Sequence, residues 1–190
     1  MIAYQYGQGI EDRDVYAAFL KKEWGLYGPN DAEAFERRIL NAGNGIIAMR
    51  YDGKPAAILE TIRTFLDVED IEDFDQLTGG GTWSTYNSRG RNFIMVDLTV
   101  TELMQGKGLS KRMVMDQLPR YLGNGIEGFF TLSPATARGM HEKFGARMAR
   151  EIKNARKDYK TPDVFVMEYP IEVIESFSNG NGRELFSATA

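Results

Sequence analysis

"NFIMVDLTVTELMQGKGLSKRMVMDQL", residues Asn92–Leu118, decides how the chain folds. The segment Asn92–Val100 is rich in branched and aromatic side chains, the composition of a strand. Ile94, Val96, Leu98 and Val100 share one parity and Asp97 and Thr99 the other, so an unbroken pleat sends the two sets to opposite faces. Leu109, Met113, Leu118 and, just beyond, Leu122 fall at helical spacing, with Pro119 expected to distort or end the last turn. Between strand and helix, Gly106 and Gly108 flank Lys107. Such a turn gathers backbone N–H groups at the positive end of a helix, an arrangement that suits a phosphate. The glycines leave room for a pyrophosphate to reach the amides, Lys107 and Lys111 add charge, and Ser110 adds a hydroxyl donor. A plain tight turn with solvated lysines uses the same residues, so the glycine pair alone leaves both readings open.

The flanking sequence supplies the rest of the order. Upstream, Asp12–Trp24 spaces Val15, Phe19 and Leu20 as an amphipathic helix with Tyr16 alongside, stopped by Gly25, Gly28 and Pro29. A second helix, capped by Asn30 or Asp31, carries Phe35, Ile39 and Leu40 and ends at the Asn41–Gly45 run. Ile46, Ile47 and Met49, then "YDGK", then Ala57, Ile58, Leu59 and Ile62 read as two strands joined by an Asp-Gly hairpin turn. Residues 66–91 hold an acidic run from Asp67 to Asp75, three consecutive glycines, and Trp83, Tyr86, Arg89 and Arg91. So long a connection is either a mobile surface loop with folded-back aromatics or a wall around a substrate. Downstream, "GIEGFFTL" reads as a strand and "SPATARGMHEKFGA" as a helix with Ser133 at the N-cap and Pro134 at the first position, ending at Gly145. "DVFVMEY" is a last strand, and "FSNGNGRELFSATA" a frayed terminus.

Composition narrows the function classes. With 190 residues, one core is the default. Lys and Arg number 23 against 27 Asp and Glu, a net charge of -4, which gives no basic field for nonspecific nucleic-acid binding. The absence of cysteine removes disulfides, thiolate metal sites and a cysteine nucleophile, and the single histidine, His141, removes a His-rich metal centre. No membrane span or leader is legible, so a cytoplasmic protein is the expectation. No serine sits in a nucleophile elbow. The two common phosphate loops do not fit. Lys107 is followed by Gly108 rather than Ser or Thr, against a Walker loop, and the third glycine of a dinucleotide fingerprint is missing.

What fits is Gln105-Gly106-Lys107-Gly108-Leu109-Ser110, which reads Q-x-x-G-x-[small] directly after a strand. In this the chain resembles the GNAT superfamily of acyl-CoA-dependent N-acetyltransferases, whose signature is Q/R-x-x-G-x-G/A between a central strand and a helix. The order of elements over residues 1–170 is similar to that family's, and "MHEKFGA" resembles its "LYEKLGF" segment. The resemblance implies an α/β (α+β) fold: a mixed, mainly antiparallel sheet with helices on both faces, splayed where the motif strand meets "GIEGFFTL". It implies one acyltransferase domain over 1–170, leaving 171–190 as an extension or tail. By the same resemblance, Leu98, Thr99 and Val100 would hold the pantetheine arm and the thioester carbonyl. Gln105, Gly106, Lys107, Gly108, Leu109, Ser110 and Lys111 would hold the pyrophosphate of acetyl-CoA, and no metal takes part.

The implied activity is direct acetyl transfer to a primary amine, on a small molecule or a protein, within a ternary complex. A neutral amine needs a route for its proton, and Asp97 is the first candidate base and Glu60 the second; each is also an ordinary structural carboxylate. The family's leaving-group tyrosine falls at His141, whose imidazole, with an unperturbed pKa of about 6.5, can donate a proton near neutrality or simply pack beside the cofactor. Pro134 replaces a cofactor-touching asparagine, so that contact is not carried over. Trp83, Tyr86 and Trp24 are the nominations for reading the acceptor. Neither nucleic acid nor membrane is an expected partner, and a homodimer is compatible with the sequence. The alternative from another class is a noncatalytic acyl-CoA-binding sensor. A nucleotide binder of another fold needs a parallel strand order that the hairpin-linked strands before residue 100 do not support.

Overall fold

The computed structural model describes residues 1–24, 32–155 and 163–178, with the side chains of Glu23 and Trp24 outside that set. The helix stop at Gly25–Pro29, the cap at Asn30 or Asp31 and the terminus from Asn179 onward therefore lie outside the described residues. The strands are β1 (Ile2–Tyr6), β2 (Ile46–Tyr51), β3 (Lys54–Thr64), β4 (Asn92–Val100), β5 (Gly128–Pro134), β6 (Arg147–Ile152) and β7 (Val164–Glu168). The helices are α1 (Arg13–Trp24), α2 (Ala32–Ala42), α3 (Phe74–Thr78), α4 (Leu109–Gln117), α5 (Ala135–Lys143) and α6 (Ile171–Ser178). The strands form one seven-stranded sheet in the order β1-β2-β3-β4-β5-β7-β6. Only β4 and β5 run parallel; the other neighbours are antiparallel.

Asp52 and Gly53, both at positive φ, make the hairpin turn between β2 and β3. The sheet buries both faces. On one, Tyr16, Leu20, Phe35 and Ile39 of α1 and α2 pack on Ile46, Ile58, Ile62, Ile94 and Val96. On the other, Leu109, Met113 and Val114 of α4, with Ile174 and Phe177 of α6, pack on Ile47, Leu59, Phe93 and Met95. The helices bury Tyr16, Leu20, Phe35 and Ile39 as the spacing predicts, whereas Val15, 39% exposed, and Leu40, 70% exposed, fall off the buried stripes, where Ala17 is buried instead.

Several sequence expectations change. The pleat of β4 is not unbroken: Glu60 pairs with Asp97 but Thr61 with Met95, which leaves Val96 as a bulge. The extra residue shifts the parity, so Ile94 and Val96 face α1 and α2 while Leu98 and Val100 face α4. Ser133 is not a helix cap, since β5 continues through it to Pro134 and its hydroxyl bonds the Pro134 carbonyl. Strand β6 is an addition; its burial pattern is mostly exposed, so no apolar alternation marks it in the sequence. The expected extension or tail over 171–190 begins as helix α6, which packs Ile174 and Phe177 into the core, so the frayed terminus read from Phe177 onward does not start at that residue. The 66–91 segment is anchored: Val68, Ile71, Phe74, Leu77 and Trp83 are buried, and the glycines at 79–81 take positive φ as α3 ends.

Candidate active site

Strand β4 meets β5 only from Asn92↔Gly128 to Met95↔Thr131. Beyond that point β5 pairs with β7 through Leu132, Ser133 and Pro134, while β4 keeps β3 on its other edge through Leu98, Thr99 and Val100. The two parallel strands therefore part, and the β5-facing edge of Leu98–Val100 carries backbone groups with no strand opposite. The bulge at Val96 sits where the parting begins, and a bulge bends and twists the strand that holds it. This is the splay that the sequence expectation placed between the motif strand and "GIEGFFTL".

At the end of β4, Gln105 donates to the Val100 carbonyl at 3.4 Å, and the chain enters the glycine turn. Gly106 has φ 75° and Gly108 φ 69°; Gly108 is the N-cap of α4. Both are in the left-handed region, which glycine enters without strain. A Cβ built on either would meet no protein atom within 4 Å, so the space beside them is open. Among the described residues, the amides of Gly106 to Ser110 donate to no carbonyl, as expected at a helix start. Lys107 lies with its Nζ 5.2 Å from the centre of the Tyr51 ring. Lys107 and Lys111 line a hollow of about 660 Å³ with Tyr51, Ile2 and Phe177. Amides, two ammonium groups and open space converge here, which is the donor set that a diphosphate requires.

The two candidate bases are neighbours. Glu60 and Asp97 are paired across β3 and β4, and both are buried. Arg38 of α2 reaches Glu60 at 3.1 Å, and Thr99 donates to Asp97 at 2.9 Å. Burial pushes the Glu60 carboxyl up from 4.5 to about 7, because desolvation and the charge of Asp97 outweigh the pull of the Arg38 guanidinium. Arg38 also donates to the Gly81 carbonyl at 2.9 Å and sits 4.1 Å from the centre of the Trp83 ring. The 66–91 segment thus packs against the arginine that holds Glu60, a connection the sequence does not disclose because the residues are remote in order.

His141 is 4% exposed, and its Nδ1 lies 2.7 Å from the Tyr169 hydroxyl. Burial pushes its pKa down to about 4, which favours the neutral ring at pH 7 and weighs against an imidazolium donor, one of the two roles the sequence left open. Burial raises the Tyr169 phenol as well. The pair is therefore a neutral hydrogen-bonded unit, and the partner of His141 was not legible in the sequence, where Tyr169 only closes the last strand segment.

The acceptor nominations fare differently. Trp83 is 1% exposed, with Phe74 against its edge and Arg38 over its face, so it is a core residue and its nomination to a substrate surface is corrected. Tyr86 is half-buried beside the start of β4, where Asn87 bonds the Arg63 carbonyl, at the end of the strand away from the splay. The Trp24 side chain lies outside the described residues. A hollow of about 260 Å³ that no sequence signal marked opens at the last residues of β4, between Phe19, Lys22, Pro55, Thr101 and Met104.

The sequence matches no family model and no curated protein. Solved structures share the fold. The loading GNATL domain of CurA from Lyngbya majuscula superposes with a TM-score of 0.70 at 12% identity, over 90% of this chain and 98% of that one. The GphF GNAT-like decarboxylase, in complex with isobutyryl-CoA, gives 0.65 at 13%, over 89% and 99%. Arabidopsis thaliana Naa50, in complex with the bisubstrate analogue CoA-Ac-MVNAL, gives 0.61 at 12%, over 89% and 98%. At these identities the likeness is one of fold. No helix among the described residues is long and apolar enough to cross a membrane.

Proposed function

From a GNAT fold whose motif strand ends in an open amide turn, we propose that this chain is an acyl-CoA-dependent N-acyltransferase, acetyl being the acyl group and a primary amine the acceptor. One observation carries the reading: β4 loses its β5 partner after Met95 and, on the same strand, delivers the chain to the amides of Gly106–Ser110. A thioester on the edge of Leu98–Val100 and a diphosphate on the turn are then served by one continuous segment. Solved relatives of the same fold hold coenzyme A ligands, which supports the same class of cosubstrate here.

The chain's residues divide the chemistry. Backbone amides on the edge of Leu98–Val100 that faces away from β3 stabilise negative charge that develops on the thioester oxygen. The amine attacks only when neutral, and its proton passes, directly or through water, to the Glu60 and Asp97 pair. A carboxyl that titrates at about 7 is matched to that task. The C–N bond forms first, giving a tetrahedral oxyanion, and the C–S bond breaks as that intermediate collapses; the departing thiolate takes its proton from water, because burial keeps both His141 and Tyr169 in their neutral forms and makes neither a good acid. With no cysteine and no serine in a nucleophile elbow, direct transfer is the reading that the sequence supports. The amine reaches the thioester from the face that carries Glu60 and Asp97, next to the hollow bounded by Phe19 and Met104. The neutrality of His141 favours one second reading, an acyl-CoA sensor that binds without turnover.

Calorimetric titration with acetyl-CoA, followed by thiol release over a panel of amines, separates these outcomes. Saturable binding with amine-dependent thiol release is expected. Binding with no release from any amine selects the sensor, and failure to bind rejects both.

A further inference from the structure

At the end of the sheet away from the splay, three arginines from separate segments line one open hollow of about 680 Å³. Arg63 comes from the end of β3, Arg89 from the turn before β4, and Arg120 from the 3-10 turn that extends α4. None of the residues lining the hollow is acidic, in a chain whose net charge is -4. Guanidinium groups stay charged at any working pH, so the hollow carries about three positive charges without an opposing carboxylate on its wall.

Arg63 and Arg120 are held in place with donors to spare. Arg63 donates from Nε to the Gly90 carbonyl at 2.6 Å and from Nη2 to the Asn124 carbonyl at 2.5 Å. Arg120 donates to the Tyr6 hydroxyl and lies 4.4 Å from the centre of that ring. Arg89 makes no side-chain bond among the described residues. Each guanidinium has five N–H donors, so most of them remain uncommitted. The neighbouring Arg91 differs, since its guanidinium is neutralised by Asp67 at 2.6 Å.

We propose that this hollow binds a small organic phosphate, the phosphoryl group on Arg63, Arg89 and Arg120 and the organic part against Tyr6 and Tyr121. A phosphomonoester carries about -1.5 to -2 charges and three strong acceptor oxygens, a closer match to three forks than a single carboxylate. The hollow lies within the roughly 300–1,000 Å³ of ordinary small-molecule sites, larger than bare phosphate fills. It is distinct from the hollow at the acyl-CoA turn: the two share no lining residue, and from Ile2 in one to Tyr6 in the other is four steps of β1 at ~3.3 Å each, about 13 Å. The inference therefore stands whether or not the transferase reading does.

Calorimetric titration of the full chain with phenyl phosphate, inorganic phosphate and benzoate tests it, with melting curves confirming that each variant is folded. Phenyl phosphate is expected to saturate, with inorganic phosphate and benzoate each about tenfold weaker or more, a difference near 1.4 kcal/mol. Arg89→Ala removes no internal bond and is expected to weaken phenyl phosphate about tenfold, as is Arg120→Ala, whereas Lys107→Ala combined with Lys111→Ala leaves it unchanged. Absence of saturation, benzoate binding as tightly as phenyl phosphate, or loss of binding through the lysines rather than the arginines would overturn the proposal.

Discussion

Gly108 does two things at one backbone position. It closes the start of α4 at φ 69°, and it leaves unfilled the volume beside the amides of Leu109 and Ser110. Alanine there incurs the left-handed penalty, about 1–2 kcal/mol, and places a methyl group where a diphosphate would approach. Gly53 provides the comparison, with φ 74° and equally open space, in the hairpin between β2 and β3. Both Gly→Ala variants are expected to lose similar stability in melting experiments, while only Gly108→Ala weakens acetyl-CoA, by about tenfold or more. Equal acetyl-CoA affinity in the two variants would remove the turn from the binding site. Glu60 shows the opposite relation between residue and sequence. Nothing local distinguishes it from a solvated strand carboxylate; its character comes from Arg38 on another element and from the Asp97 charge opposite.

Elements differed in how far the chain disclosed them. The segment from β4 to α4 was legible because hydrophobic composition, glycine position and helical spacing agree there, and the splay followed from the resemblance those residues carry. The β4 bulge was not legible, because Val96 looks like every other apolar residue of the strand until β3 fixes the register. Strand β6 lies at the sheet edge and shows its polar residues to solvent, so it lacks the alternation that marks a half-buried strand. Helix α6 was overlooked because eight residues before a glycine-rich run resemble a tail, yet Ile174 is 0% and Phe177 8% exposed. Burying one phenylalanine in such a setting is worth about 3–5 kcal/mol on truncation to alanine, against a total stability of roughly 5–15 kcal/mol. Phe177→Ala is accordingly expected to lower urea-unfolding stability by about that amount, and a chain ended after Pro170 to lose cooperative unfolding altogether. Parent-like unfolding of the shortened chain would restore the boundary at residue 170.

Across the whole molecule, two buried groups on opposite faces of the sheet pull stability in opposite directions as pH changes. Glu60 has its carboxyl raised from 4.5 to about 7, so between those values the folded chain holds a proton that the unfolded chain has released. Its contribution is full below about 4.5 and is lost as pH rises through about 7. His141 is lowered from 6.5 to about 4, so between those values the unfolded chain binds a proton that the folded chain refuses. Its penalty is greatest below about 4 and disappears as pH rises through 6.5. Each shift is worth up to a few kcal/mol, at about 1.4 kcal/mol per pKa unit. Over pH 4.5 to 6.5 the two nearly cancel, so the parent's stability should change little there, fall modestly as pH passes from about 6.5 through 7, and then level off. Single substitutions expose the hidden slopes. With Glu60→Gln, stability should climb from pH 4.5 to 6.5 as only the histidine remains; with His141→Gln it should fall over the same window. Urea unfolding measured at half-unit pH steps reads both slopes directly. Identical profiles in parent and both variants would mean that neither group titrates as its burial requires, and the assignment of Glu60 as a base near neutrality would fall with them.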